Sequence, residues 1–204
     1  MRRIAALASL VDKDSKVIDI GTDHAYLPIY LYEHGFTTQV TGSDVSKNVL
    51  EYGKKNLKKH NLDKKIDLIL SNGFQDTPGN YDIAVISGMG FNTIKEILSF
   101  PVLPKTIIIS SHNDLMSLRK FMNSLNYKID KEIFLLDKNR YYVMIKYVLG
   151  FEALKPEEII LGVNPSKEYI SYLLDKYKNI YNKSHNEEYL DIIKLIEKKL
   201  DCQS

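Results

Sequence analysis

The segment Val17-Ile18-Asp19-Ile20-Gly21-Thr22-Asp23-His24-Ala25-Tyr26-Leu27-Pro28 constrains this chain more than any other. Three β-branched apolar residues around Asp19 run into a polar loop, and a helix-like pattern of Leu27, Ile29, Tyr30 and Leu31 follows at once. A strand, a tight turn and a helix in that order open an α/β domain of the nucleotide-binding type. Gly21 lets the backbone turn sharply and come close to a ligand. A second acid, Asp44, follows Val40-Thr41-Gly42-Ser43. It stands about 20 residues beyond the loop, where such domains hold the hydroxyls of a ribose. The loop is not Gly-x-Gly-x-x-Gly: it has one glycine, between Asp19 and Asp23. Two carboxylates repel a pyrophosphate and suit a cationic ligand without phosphates. S-adenosylmethionine (SAM), with its ribose, amino group and sulfonium, is such a ligand.

The rest of the chain repeats the βα alternation. Strand signals fall at residues 17–20, 39–43, 66–71, 83–87 and 106–111. Helical patterns fall between them at 26–35, 46–60, 90–99 and 114–125, with Asn92-Thr93 and Asn113-Asp114 as candidate caps of the last two. Two β-rich runs, 127–137 and 141–149, are joined by the hairpin-like Lys138-Asn139-Arg140. The pattern predicts a mainly parallel sheet finished by an antiparallel hairpin, the Rossmann-like sheet of class I SAM-dependent methyltransferases. Right-handed crossovers then place a ligand at the carboxyl ends of the strands. The expected division is a methyltransferase domain over residues 1–150 and a helical arm over 151–204. In the arm, Lys155-Pro156-Glu157-Glu158 reads as a helix start. Ile170, Leu173, Leu174, Tyr177, Ile180 and Tyr181 form one helical stripe, and Tyr189, Ile192, Ile193, Ile196 and Leu200 a second. With a polar break at residues 182–186, the two stripes predict a coiled-coil-like helical hairpin whose seams bury each other.

Composition narrows the class further. The chain has 204 residues, 44% hydrophobic and 26% charged, as in a soluble globular protein. It contains no apolar run long enough to span a membrane. The opening Met1-Arg2-Arg3-Ile4 stretch runs into Asp12, Lys13 and Asp14, which predicts a short amphipathic helix rather than a signal peptide. The single cysteine, Cys202, fits a reducing cytoplasm. Net charge is only +2. Residues 1–150 carry 20 basic against 16 acidic groups, and residues 151–204 carry 8 against 10. A nucleic-acid partner would therefore need local patches, such as Arg2 with Arg3, Lys138 with Arg140, or the run Lys54, Lys55, Lys58, Lys59, Lys64 and Lys65. On charge alone, those lysines read first as a solvated helix face.

The segment Asp-Ile-Gly-Thr-Asp-His-Ala-Tyr-Leu-Pro resembles the first motif of the bacterial TrmK family, SAM-dependent methyltransferases that modify N1 of adenine 22 in the D-loop region of tRNA. Three further segments follow at matching distances: Gly42-Ser43-Asp44-Val45, Ser71-Asn72-Gly73-Phe74 and Ile86-Ser87-Gly88-Met89-Gly90. The last is similar to the family's Ile-Ala-Gly-Met-Gly-Gly, with Phe91 where the second glycine stands. In Ser110-Ser111-His112-Asn113 only Asn113 matches the family's Gln-Pro-Asn. The resemblance implies tRNA as substrate and the helical arm as a part that grips it. It also offers Tyr141 as a family tyrosine near the RNA.

Position and chemistry give each residue an expected role. Asp19, Gly21, Asp23, His24, Asp44, Val45, Asn72, Gly73, Phe74, Ser87 and Gly88 are the candidate SAM-binding set. Asp19 faces the methionine amino group or only caps the loop, and Asp44 accepts from the ribose. Asn72 reads the SAM adenine, with Phe74 covering the ring. Adenine N1 attacks through an in-plane lone pair and has no proton to lose, and the methylated ring is cationic. The catalytic candidates are therefore an acid near the methyl group, Asp23, with Gly88, Met89 and Asn113 shaping a space for a base. Many amino-methylating enzymes carry an Asn/Asp-Pro-Pro-Tyr/Phe tetrapeptide after the fourth strand, and this chain has Ser-Gly-Met-Gly there. Arg3, Lys138, Arg140 and Tyr141 are the RNA-binding candidates. No metal-ligand spacing occurs. The expected assembly is a monomer or weak homodimer away from membranes. A small-molecule methyltransferase, and a non-catalytic nucleotide- or RNA-binding protein on the same fold, stay open beside the tRNA reading.

Overall fold

The computed structural model describes residues 1–77 and 80–202. It divides into two units, Met1–Phe151 and Glu152–Ser204. In the first unit, α1 (Arg2–Ala8) precedes an alternation of β1 (Val17–Ile20), α2 (Tyr26–Glu33), β2 (Val40–Asp44), α3 (Lys47–Lys59) and β3 (Asp67–Leu70). Then come β4 (Ile83–Met89), α4 (Phe91–Ile97), β5 (Thr106–Ser111) and α5 (Leu115–Ser124), and the hairpin β6 (Tyr127–Asp137) and β7 (Arg140–Leu149) closes the unit.

The strands form one seven-stranded sheet in the order β3-β2-β1-β4-β5-β7-β6. β1 to β5 run parallel, and β7 is antiparallel to both β5 and β6. Helices cover both faces of such a sheet, so the central strands are buried on both sides and read as apolar runs rather than alternations. All four residues of β1 are buried, and Ile107, Ile108 and Ile109 of β5 are fully so. β1 lies between β2 and β4, so the strand order reverses beside it, and the crevice opens at the carboxyl ends of these three strands. The register makes those ends level: Ile20 pairs with Ser43 on one side and Ile86 on the other.

Local chemistry sets the helices that flank this crevice. α3 turns Leu50, Gly53 and Leu57 to the sheet and its lysines outward, and the Ser46 hydroxyl caps it by accepting from the Val49 N–H at 3.4 Å. Asp114 caps α5 by accepting from the Ser117 N–H at 3.0 Å. α4 departs from the sequence expectation. Asn92 and Thr93 lie inside it, Gly90 stands at its cap, and the free Phe91 N–H donates to Asn113 Oδ1 at 2.9 Å. An acceptor arriving from the end of β5 supplies what a local cap would. α1 joins the apolar core through Leu7 and Ala8 and packs against α2, β6 and β7. Beside α5, the buried Arg119 and Glu132 side chains pair at 2.9 Å.

The second unit is helical: α6 (Pro156–Leu161), α7 (Lys167–Ser184) and α8 (Glu187–Asp201). Ser166 caps α7 through the Tyr169 N–H at 3.2 Å, and Asn186 caps α8 through the Glu188 N–H at 3.0 Å. α7 and α8 fold back on each other about Tyr169, Ile170, Leu173, Ile193 and Ile196, with a Lys178–Glu197 ion pair at 2.8 Å. The polar break is shorter than residues 182–186. α7 continues through Ser184, and only His185, in the left-handed conformation at φ +51°, and Asn186 make the turn. Among the described residues, no helix is long and apolar enough to cross a membrane.

Gly53 shows how tightly α3 sits on the first loop. A Cβ there would lie 2.9 Å from Leu68 Cδ1 and 3.2 Å from the Asp23 carbonyl oxygen. Alanine in a helix gains up to about 1 kcal/mol over glycine, whereas overpacking costs about 1–3 kcal/mol. Gly53→Ala is therefore expected to lower stability by about 1–2 kcal/mol despite its better helix propensity. Chemical denaturation measures this, and a stabilised variant would contradict the packing.

Candidate active site

The loop between β1 and α2 is pinned to the end of β2. The Ser43 carbonyl accepts from both the Gly21 N–H at 2.8 Å and the Thr22 N–H at 2.9 Å. Gly21 has φ +74°, a conformation glycine adopts without penalty. Asp23 and Ala25 also hold positive φ, at +52° and +59°. Strain of this kind persists where surrounding structure fixes it, and it collects at functional sites. Here α3 does the fixing: Asn56 Nδ2 donates to the His24 carbonyl at 2.9 Å.

Asp44 ties the loop and strand together. Its Oδ1 accepts from the Ser46 N–H at 2.9 Å and its Oδ2 from the Asp23 N–H at 3.4 Å. The carboxylate is thus oriented, yet it borders open space on both sides. Asp19 is only 4% exposed. Burial pushes its carboxyl up to about 7, the nearby Thr22 side chain opposes this, and the charge of Asp44 adds to it. The Thr22 hydroxyl sits close enough to favour the charged form but lacks full hydrogen-bond geometry. It and the Ser43 hydroxyl are buried without a protein partner among the described residues.

On the far side, the β4–β5 ladder slips between Ser87 and Met89. Gly88 occupies this irregularity at φ +79°, with open space where a Cβ would project. The bulge aims Met89 back across the crevice: a Cβ on Gly21 would lie only 2.1 Å from Met89 Cε.

Two cavities result, meeting at Gly21, Asp44 and Met89. The larger, about 480 Å³, is lined by Asp19, Thr22, Asp23, Ser87 and Gly88 and also by Arg3, Tyr26, His112, Tyr142 and Met144. The smaller, about 250 Å³, is lined by Val45, Asn72, Gly73, Ile97 and Phe100. One end is acidic; the other joins the apolar Val45, Ile97 and Phe100 to the polar side chains of Asn72, Gln75, Thr93 and Glu96. A carboxylate stands between them. This arrangement fits the ammonium, ribose and adenine of SAM in that order, with the Gly88 opening beside the central part.

Several residues lie differently from their sequence-based roles. Phe74 is buried and packs on Phe100, at 6.3 Å between ring centroids, so Phe100 is the ring that faces the smaller cavity. The His24 ring lines neither cavity and packs on Tyr26 and Tyr52, with Nε2 3.6 Å from Asp23 Oδ1. Asn113 uses its Oδ1 to hold Phe91, which positions the Gly88–Gly90 segment rather than lining it. In β7 it is Tyr142, not Tyr141, that reaches the larger cavity. Tyr142 lies between two cations: the Arg3 guanidinium is 4.7 Å and that of Arg140 5.5 Å from its ring centre. Arg140 also donates to the His112 carbonyl at 3.3 Å, and Lys138 stands exposed at the hairpin tip. Tyr142, Met144, Ile97 and Phe100 gave no motif signal, and Thr22, inside the first motif, had no expected role. For the two tyrosines, alternation along a strand offered one clue, since Met144 shares a face with Tyr142.

A parallel sheet with an antiparallel final hairpin, bearing acids at the ends of its first two strands, defines a class I methyltransferase. The model of the methyltransferase domain family matches residues 1–145. A protein of Mycoplasma genitalium, provisionally named a tRNA methyltransferase, is 32% identical over 170 residues, covering 79% of this chain and 76% of its own. The structure of M. capricolum TrmK in complex with S-adenosyl-homocysteine superposes with a TM-score of 0.84 at 32% identity, covering 98% of this chain and 97% of that one. The structure of the Bacillus subtilis m1A22 tRNA methyltransferase TrmK shares the fold, with a TM-score of 0.77 at 17% identity over 98% of this chain and 95% of its own. The chain belongs to the methyltransferase domain family and, within it, to the TrmK family.

Asp19 gives the site a pH signature. Its folded-state pKa of about 7 lies above the ordinary value of 3.8, so its charged form is disfavoured by folding. The protein without SAM should lose stability as pH rises from about 4 to about 7 and stay level above that. Asp19→Asn removes the buried charge. Since each pKa unit is worth about 1.4 kcal/mol, the variant should be roughly 2–4 kcal/mol more stable than the parent at pH 8 and nearly equal to it at pH 4. Melting curves at the two pH values check this.

Proposed function

We propose that this protein transfers the methyl group of SAM to N1 of an adenine in tRNA, at position 22 as the name of its B. subtilis relative indicates. The observation that carries the reading is the crevice itself: acidic at Asp19 and Asp23, divided at Asp44, and open beside Gly88. SAM supplies an electrophilic methyl group on sulfur, ready for in-line displacement.

The chain's own residues then have four tasks. Asp44, already oriented by two backbone N–H groups, accepts from the ribose hydroxyls. Asn72 and Gly73, with Ile97 and Phe100, hold the adenine of the cofactor in the smaller cavity. Asp19, and Asp23 beside it, meet the ammonium, which favours ionisation of the buried Asp19 carboxyl. Ser87, Gly88 and Met89 floor the space where the target base enters. The target adenine leaves its stack to reach this depth. Its N1 carries no proton, so the base needs orientation and an anion for the charge that develops on the ring. Asp23 is well exposed, with side-chain exposure of 65%, and is the carboxylate placed for this or for taking a proton from N6. Arg3 and Arg140 flank the mouth of the larger cavity and Lys138 stands nearby on the hairpin, where they neutralise phosphates around the flipped nucleotide.

The direct test is transfer from labelled SAM to unmodified tRNA, to the same tRNA with guanine at position 22, and to a mixture of small metabolites. Label is expected in the first alone, as an N1 methyl that stops reverse transcription. Label in the metabolites with none in tRNA would replace this reading with a small-molecule methyltransferase.

Removal of the Asp44 carboxylate should be felt in binding. Hydrogen bonds to a charged group contribute about 1.5–3 kcal/mol each, so Asp44→Ala is expected to weaken SAM at least tenfold, as read by calorimetry. An unchanged affinity would reassign the ribose. Affinity in the parent should also depend on pH. Below about 7 Asp19 must lose a proton before it can pair with the ammonium, so SAM binding should strengthen as pH rises toward 7. Asp19→Asn should flatten that profile.

A further inference from the structure

The loop after β1 and the helices beside it carry an aromatic surface that starts at the larger cavity and to which the reading above gives no part in holding SAM. The His24 ring lies 5.4 Å from that of Tyr26 on α2 and 5.7 Å from that of Tyr52 on α3, tilted by 40° and 57°. Tyr26 is 53% and Tyr52 56% exposed. The His24 ring thus joins two tyrosines from separate helices, each of which leaves about half its surface to solvent. Aromatic side chains on packed helices ordinarily turn to the core, so an exposed and contiguous set marks a contact surface.

The surface is anchored to the fold and continuous with the site. α3 clamps the loop through Asn56 and through the close approach of Gly53 to the Asp23 carbonyl. Tyr26 lines the larger cavity, and His24 adjoins Asp23. At its outer end, Lys55 Nζ stands 5.5 Å from the centre of the Tyr52 ring. The rings therefore lead from the mouth of the methyl-transfer cavity to a cation.

This layout selects its occupant. A nucleotide drawn into the cavity leaves its neighbours in the strand without a stacking partner. An unstacked base pairs favourably with any exposed aromatic face, and its phosphate with a nearby lysine. We propose that Tyr52, with His24 and Tyr26, forms a stacking platform for an unpaired RNA base flanking the target adenine, and that Lys55 contacts the adjoining phosphate. The proposal rests on the tRNA reading above. Tyr52 is a substrate-positioning residue and takes no part in the chemistry.

The test uses the full chain with Tyr52 changed to Phe, Leu and Ala. Stacking needs the ring and not the hydroxyl, so Tyr52→Phe should keep the parent KM for tRNA. Tyr52→Leu retains an apolar side chain against α3 but has no π face, and like Tyr52→Ala it should raise that KM about fivefold or more. In all three, kcat at saturating tRNA and SAM affinity should match the parent, which also reports an intact fold. With 2-aminopurine beside the target adenine, the parent should quench its fluorescence on binding, and the Leu and Ala variants should not. A parent-like KM in Tyr52→Leu, or a loss in Tyr52→Phe equal to that in Tyr52→Ala, overturns the platform while leaving tRNA methylation standing. A parent protein that labels no tRNA overturns both.

Discussion

The site hangs on one backbone acceptor. The Ser43 carbonyl accepts two N–H groups from the loop after β1, and this pair of hydrogen bonds to the end of β2 holds the turn at Gly21. Every other feature follows from that turn. It sets Asp19 facing inward at the end of β1, and it brings the Asp23 N–H to Asp44. It also leaves Gly21 bare enough for Met89 to approach. Without the level ends imposed by the β1–β2 and β1–β4 registers, the same acids would stand at different heights and enclose nothing.

The opposite wall works by irregularity. A straight β4 would send Met89 away from the crevice, whereas the slip at Gly88 turns it across. That slip creates both the opening for a base and the constriction between the two cavities. Asn113, bonded to Phe91, holds the start of α4 and so keeps the irregular segment in place. A residue that resembles a catalytic group in the motif thus serves the shape of the pocket.

Electrostatics set the character of the crevice. Two carboxylates near each other, one of them buried, raise the energy of the site until a cation enters. This cost falls on folding and is recovered on binding, which gives a selective preference for a positively charged ligand over a phosphate-bearing one. Outside, the sign inverts: Arg3 and Arg140 flank Tyr142, and lysines line α3. The crevice is thus acidic inside, with arginines and lysines on the surfaces around it.

Much of the fold was legible in the sequence, because apolar runs at the spacing of βα units leave little choice of topology. The strand positions 17–20 and 106–111 and the final hairpin needed only periodicity and turn residues. The positions of the acids 19, 23 and 44 were likewise legible: the first two bracket the glycine turn after β1, and the third ends the next strand. What the sequence by itself left open were the phase and direction of side chains. Tyr141 and Tyr142 are adjacent, and only the pairing of β7 with β6 and β5 decides which faces the cavity. His24 sits within the motif, yet its ring packs on Tyr52, brought by α3 from 28 residues away. Phe100 shields Phe74 from the cavity, and a bond from β5 replaced the expected cap of α4. Local sequence determines which element a residue joins. The direction its side chain takes depends on neighbours distant in the chain, and tertiary packing alone supplies them.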